Sequence, residues 1–180
     1  AGTAQADASS VGDIDASSPG EPEPPRPIRV VLSFDDTHGE QRLVLPALAR
    51  HGFSATFYVN SPRFGKTGYL TLADVQQMVA AGHEIGGHSL HHVDLTGLEG
   101  EALVAEVCDD RQALLAHGFD ARSFAYPMGY QTDETRAVVA SCGYESARLV
   151  KGVGCASCPP AETLPPPDPY ANDRAKPPRS

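Results

Sequence analysis

The chain has 180 residues, 41% of them hydrophobic, and a net charge of −9 from 14 basic and 23 acidic side chains. That length suits one domain, and the acidic balance argues against a nucleic acid or an anionic membrane held by non-specific electrostatics. No apolar run approaches the length needed to span a bilayer, so no membrane span is expected.

Residues 1–27 hold hardly any large apolar side chain and end in "EPEPPRP". Such a stretch cannot bury enough surface to offset chain entropy, and it reads as a disordered or extended tail. The first strand-like run is "IRVVLSF" (28–34), which stops at Asp35 and Asp36. A helical pattern follows in "EQRLVLPALARHG" (40–52), interrupted by Pro46. Strand "ATFYVN" (55–60) leads to helix "TLADVQQMVAAG" (71–82), with Thr71 as N-cap. Strand "HEIGG" (83–87) precedes the long helix "LEGEALVAEVCDDRQALLAHG" (98–118), where Leu103, Val107, Leu114 and Leu115 recur at helical spacing. Strand "SFAYP" (123–127), helix "TDETRAVVASCG" (132–143) capped by Thr132, and the weaker strand "ESARLV" (145–150) complete the pattern. Gly52, Gly82 and Gly118 close three of the helices, as left-handed caps require. The folded part is placed at 28–170, and 171–180 reads as a polar, Pro-containing tail.

Alternating strands and helices with short connections imply a parallel sheet or a barrel. About five βα units fit, fewer than the eight of a regular barrel. In such folds functional groups collect at the carboxyl ends of the strands. Three stretches meet that condition: Asp35 with Asp36, then "GGHSLHH" with His88, His91 and His92, then "YPMGY" (126–130). Two adjacent carboxylates at a strand end are costly to desolvate unless something neutralises them. The spacing of His88 and His92 puts two imidazoles on one side of a helical turn. With Asp36 they make a three-ligand set, as in zinc centres that keep a position open for water, and Asp35 is then free to act as a base. The plainer alternatives are a turn and helix cap for the Asp pair and a solvated pair of histidines. His38, His51, His83 and His117 read as surface or packing residues.

Four cysteines, Cys108, Cys142, Cys155 and Cys158, allow three complete pairings. "CASC" also fits half of a zinc knuckle, but no second close pair exists to complete one, so disulfides are preferred. The chain begins at Ala1 rather than Met, which fits removal of a leader. The expected location is secreted or extracellular, including association with a cell wall.

"SFDD", "HEIGGHSLHHVDLT" and "SFAYPMG", in that order, resemble the three main motifs of the polysaccharide deacetylases of the NodB-homology type, carbohydrate esterase family four. Ser33 to Asp36 match the first motif, His88, Ser89 and His92 the second, and Ala125 to Met128 the third. The resemblance covers about residues 28–170. It implies an α/β fold, a distorted (β/α) barrel of the deacetylase type without its last strands. It also implies removal of acetyl groups from an N- or O-acetylated polysaccharide or oligosaccharide. In that reading Asp36, His88 and His92 hold a divalent metal, zinc first, with cobalt or nickel comparable. Asp35 is the general base, and the backbone N–H of Met128 receives the oxyanion. The same resemblance suggests a Cys108–Cys142 disulfide between neighbouring helices; for Cys155 and Cys158 two readings stand, a pairing with each other or the loss of partners in an absent segment.

Three positions depart from the family pattern. Thr37 stands where relatives carry Gly, a change tolerable if the backbone there needs no positive φ. Ala125 replaces an Arg that orients the base, so Asp35 is expected to be less firmly held. No His follows His117, whereas relatives use a late His to protonate the leaving group, and losing such an acid commonly costs about two to four orders of magnitude. A domain shortened at its end, or a non-catalytic metal- and glycan-binding relative, is therefore the alternative reading.

Overall fold

The computed structural model describes residues 30–150. The tails at 1–27 and 171–180, and Cys155 and Cys158, lie outside the described residues. Five parallel strands form one sheet in the order β1-β2-β3-β4-β5: β1 Ser33–Phe34, β2 Thr56–Val59, β3 Glu84–Gly87, β4 Ser123–Ala125 and β5 Ser146–Arg148. Helices α1 Leu45–His51, α2 Leu72–Ala80, α3 Gly100–Val104, α4 Asp110–Ala116 and α5 Asp133–Ser141 lie in the crossovers. This is the distorted barrel topology that the family resemblance implies, with five strands forming an arc.

The register divides the sheet into two chemically different faces. Phe57 pairs with Phe34 and Ile85, and Phe124 with Gly87 and Ala147. Because side chains alternate along a strand, one face carries Phe57, Val59, Ile85, Phe124 and Tyr126. All of these are buried, together with Val75, Met78, Leu103, Val107, Leu114 and Val139 from the helices. The other face carries Thr56, Tyr58, Glu84, Gly86, Ser123, Ala125 and Arg148, a concave polar surface.

Several elements differ from their sequence patterns. Of the run 28–34 predicted as the first strand, the described residues 30–34 form strand at Ser33–Phe34. Its partner β2 begins only at Thr56, because Gly52 closes α1 in a left-handed turn and the Phe53 N–H returns to the Leu48 carbonyl. Val31, just before Leu32, thus has no described strand to pair with. The helix predicted from 40 starts as a 3₁₀ segment, Gly39–Val44, and becomes α-helical at Leu45. Pro46 then sits in the first turn, where its missing N–H costs nothing.

The long third helix is broken by a π-helical turn, Ala105–Asp109, between α3 and α4. Leu115 is exposed while Leu114 is buried, since consecutive helical residues point about 100° apart and only one can face the sheet. Cys108 in the π turn is bonded to Cys142, with the Cα atoms 5.0 Å apart. This joins the third crossover to the end of α5. Both predicted N-caps form: Thr71 and Thr132 each accept an N–H three residues on and complete a capping box.

Candidate active site

Three loops at the carboxyl edge hold the candidate residues, and each is locally strained. Every non-glycine residue with positive φ among the described residues lies in them: Asp36, Thr37, Ser89, His92 and Met128. A β-branched residue in the left-handed region is an outlier, and Thr37 has φ 63°. The position that accepts Gly in relatives therefore does require positive φ. Thr37 is retained because its side chain is tied down. Its fully buried hydroxyl accepts the Asn60 N–H at 2.8 Å and lies 3.4 Å from Asn60 Oδ1. The Asn60 amide group in turn donates to the carbonyls of His88 (2.6 Å) and Ser89 (2.7 Å). One buried Asn thus locks the first loop to the second.

His88 and His92 are not on a helical turn, contrary to the reading of their spacing. Residues 88–94 form a loop. Left-handed Ser89 reverses the chain, and its Oγ accepts the His92 N–H at 3.1 Å. The rings end up with centroids 4.8 Å apart. The π turn braces the same loop from outside, since the Glu106 carbonyl accepts the Leu90 N–H at 3.0 Å. His91 turns away onto the Glu106 carboxylate, 2.6 Å from its Nδ1, and does not join the cluster.

Asp36, His88 and His92 each present a ligand atom, all within 4.8 Å of one another. Asp36 Oδ1 lies 2.9 Å from His92 Nε2 and 3.5 Å from His88 Nε2. The His88 Nδ1 donates to the Ala125 carbonyl at 2.7 Å, which leaves Nε2 directed at Asp36. A backbone carbonyl fixing the far ring nitrogen is the usual support of a metal-binding histidine. The hydrogen bond from His88 and the nearby His92 hold the Asp36 carboxyl down at about 2 against its partial burial. Desolvation, helped by His88, lowers the pKa of His92 and favours the neutral, ligand form of its ring. An anion and two oriented imidazoles are the donor set that a borderline divalent cation takes. The residues present fit such an ion.

Residues that the sequence pattern did not single out complete the surroundings. Arg63 donates to the Asp36 carbonyl at 3.0 Å and approaches its carboxylate at 3.7 Å. His38, read as a surface residue, is half exposed and stacks on Tyr69. It also brings Nε2 to 3.8 Å from Asp36 Oδ2. Asp110 is fully buried beneath the loops and accepts N–H groups from Ser61 (2.8 Å) and His88 (3.4 Å). Burial raises its pKa to about 6.

Asp35 is not loosely held. Arg148 on β5 pairs with its carboxylate, and the Gln41 side-chain amide donates to its carbonyl. The alternation Ser146-Ala147-Arg148-Leu149 carries a readable signal, since it places Arg148 on the polar face at the end of its strand. Met128 has φ 58° in the short 3₁₀ turn Pro127–Gly129, with its side chain partly exposed. Its N–H stands in the first turn, where helical N–H groups have no partner within the helix. A cleft of about 790 Å³ between α1 and α2, lined in part by Leu43, Phe53 and His83, includes none of these residues.

These features define a parallel α/β half-barrel with an Asp-His-His cluster at its strand ends. The sequence model of the family described as polysaccharide deacetylase matches residues 23–147, and the chain belongs to that family. It is 27% identical over 121 residues to the peptidoglycan-N-acetylglucosamine deacetylase of Bacillus cereus, covering 65% of this chain and 54% of that protein. Over 89 residues it is 32% identical to a chitin deacetylase of Pestalotiopsis sp, covering 49% of this chain and 30% of that one. The chain spans about half the length, or less, of these curated relatives. Among solved structures it resembles the Streptococcus pyogenes deacetylase PplD in complex with acetate, with a TM-score of 0.64 and 25% identity over 66% of this chain and 54% of that one. It also resembles a family 4 carbohydrate esterase from Streptomyces lividans in complex with acetate, with a TM-score of 0.59 and 26% identity over 67% and 61% of the two chains.

Proposed function

We propose that the protein hydrolyses acetyl groups from an acetylated polysaccharide outside the cell or in its wall, using Asp35 as base and Asp36, His88 and His92 as ligands of a divalent ion, zinc first. The observation that carries this is the separation of the two adjacent carboxylates. Asp36 faces two imidazoles, whereas Asp35 faces a guanidinium. The pair therefore divides into a ligand and a base, each carboxylate held by its own partners. A divalent ion held there supplies a Lewis acid that polarises the acetyl carbonyl and acidifies water. Asp35 takes the proton of the attacking water. The Met128 N–H, on a rigid left-handed turn, donates to the oxygen on which negative charge develops. Relatives named for peptidoglycan and chitin support a polymer of N-acetylated amino sugars as substrate. An O-acetylated glycan is the second choice, suggested by the esterase among the structural neighbours.

The test is acetate release by the zinc-loaded chain from N-acetylglucosamine oligomers and acetylated xylan, beside Asp36→Ala. Turnover is expected for the native chain. The variant is expected to lose activity, with zinc affinity lowered at least about 100-fold, more than the effect typical of groups that only support a ligand. Zinc uptake by calorimetry without any acetate release would reject the enzyme reading in favour of a metal- and glycan-binding relative.

A further inference from the structure

Arg148 and Asp35 are 113 positions apart in the chain; Arg148 ends β5 and Asp35 directly follows β1, the two outer strands of the described sheet. Strands in a flat sheet stand about 4.8 Å apart, so four steps would separate β1 from β5 by roughly 19 Å. The contact exists because the sheet curls, and Arg148 crosses the concave face to reach Asp35.

The face is shaped for that crossing. Arg148 is the cross-strand partner of Ala125 in the parallel ladder. A methyl group there leaves room, where a long side chain would compete for the same volume. The Arg148 guanidinium lies over the Tyr58 ring, 4.6 Å from its centroid, in a cation–π contact. Tyr58 has space for its ring because its own cross-strand partner is Gly86. A Cβ at Gly86 would come within 2.6 Å of that ring and 2.8 Å of the Ser123 carbonyl. The Arg148 backbone is held as well, its carbonyl accepting the Tyr126 N–H at 3.0 Å. Both charged side chains are about one-fifth exposed, so solvent screens the pair only partly.

We infer that Arg148 is the positioning residue of Asp35, supplying from β5 the cation for which β4 offers only Ala125, with Tyr58 as the platform that fixes its guanidinium. This rests on the reading of Asp35 as the base. The guanidinium occupies one carboxylate oxygen and keeps Asp35 from turning toward the histidines, so that the other oxygen faces the substrate. The competing account is that Arg148 is only a tie that closes the arc.

The experiment has two arms. In the first, ¹⁵N NMR of the arginine side chains of the 180-residue chain follows the Arg148 guanidinium. Hindered rotation and slow proton exchange are expected in the native protein. Asp35→Asn should release them fully and Tyr58→Leu in part. A freely rotating guanidinium in the native protein, or one indifferent to Asp35→Asn, overturns the inference whatever the turnover. In the second arm, Arg148→Ala is expected to lower kcat about 10- to 100-fold, the range for groups that orient a functional residue. KM and zinc affinity should stay within about threefold, and Arg148→Lys should recover part of kcat. Equal losses in kcat, KM and zinc affinity without rescue by Lys would show a structural tie instead. Lack of turnover by the native chain would refute the deacetylase reading, while the NMR arm still decides the pairing.

Discussion

Glu84 and Asp36 sit at opposite ends of the same sheet, and their surroundings differ in kind. At the amino end, Glu84 receives the Thr56 hydroxyl on one oxygen and the Ser123 hydroxyl on the other, each at 2.7 Å. The donors are neutral, they come from the two flanking strands, and the local backbone is regular. At the carboxyl end, Asp36 meets two imidazoles and a guanidinium, in loops that contain all five left-handed non-glycine residues among those described. The sheet holds a carboxylate without that strain, as Glu84 demonstrates at an exposed position. Strain held in place by surrounding hydrogen bonds, beside a carboxylate and two oriented imidazoles, is what a built site looks like.

The largest effect expected to sharpen this contrast concerns Asp110, the buried carboxylate under the loops. Its pKa is raised from 3.8 to about 6 by burial, so between these values the folded protein binds a proton that the unfolded chain has released. Stability is then full below about pH 4 and declines as pH rises through about 6, by on the order of 3 kcal/mol. Denaturant midpoints recorded across that range should fall accordingly, and Asp110→Asn should flatten the slope. A slope unchanged by the substitution would assign the cost to another group.

Thr37 offers the next test. Thr37→Val keeps the β-branch in the left-handed region but removes the hydroxyl that meets Asn60, and a loss of about 1–3 kcal/mol is expected. Thr37→Gly loses the same hydroxyl yet relieves strain of about 1–2 kcal/mol. It should therefore lie between the native protein and the Val variant. Chemical denaturation of the three proteins checks the order, and Gly proving the worst of the three would mean that the turn is not strained.

The smallest effect belongs to the amino end. Glu84→Gln keeps one acceptor for a hydroxyl and should cost at most about 1 kcal/mol, with zinc affinity and acetate release unchanged. A marked loss of either would break the division between a structural and a functional end.

Much of this was legible in the residues themselves. Local periodicity marks a strand or a helix wherever one face is buried, so four helices and five strands could be placed in order, and Thr71, Thr132 and the closing glycines follow from local hydrogen bonding and sterics. The motifs were legible too, because Asp35, Asp36, His88 and His92 are close in sequence to the strand ends that present them. The π turn was not, since an extra residue in a helix turn leaves the hydrophobic spacing of Leu103 and Val107 undisturbed.

Tertiary structure alone decided the rest. The residues determined that the adjacent aspartates need countercharges, but not which ones. Their assignment depends on a sheet that curls until β5 faces β1, on Gly86 yielding space to Tyr58, and on Ala125 yielding space to Arg148. The loop that unites His88 with His92 likewise depends on Asn60 and Glu106, which are remote in sequence and adjacent only after packing. Short-range chemistry is written along the chain, whereas a contact across a curved sheet exists only once the curvature does.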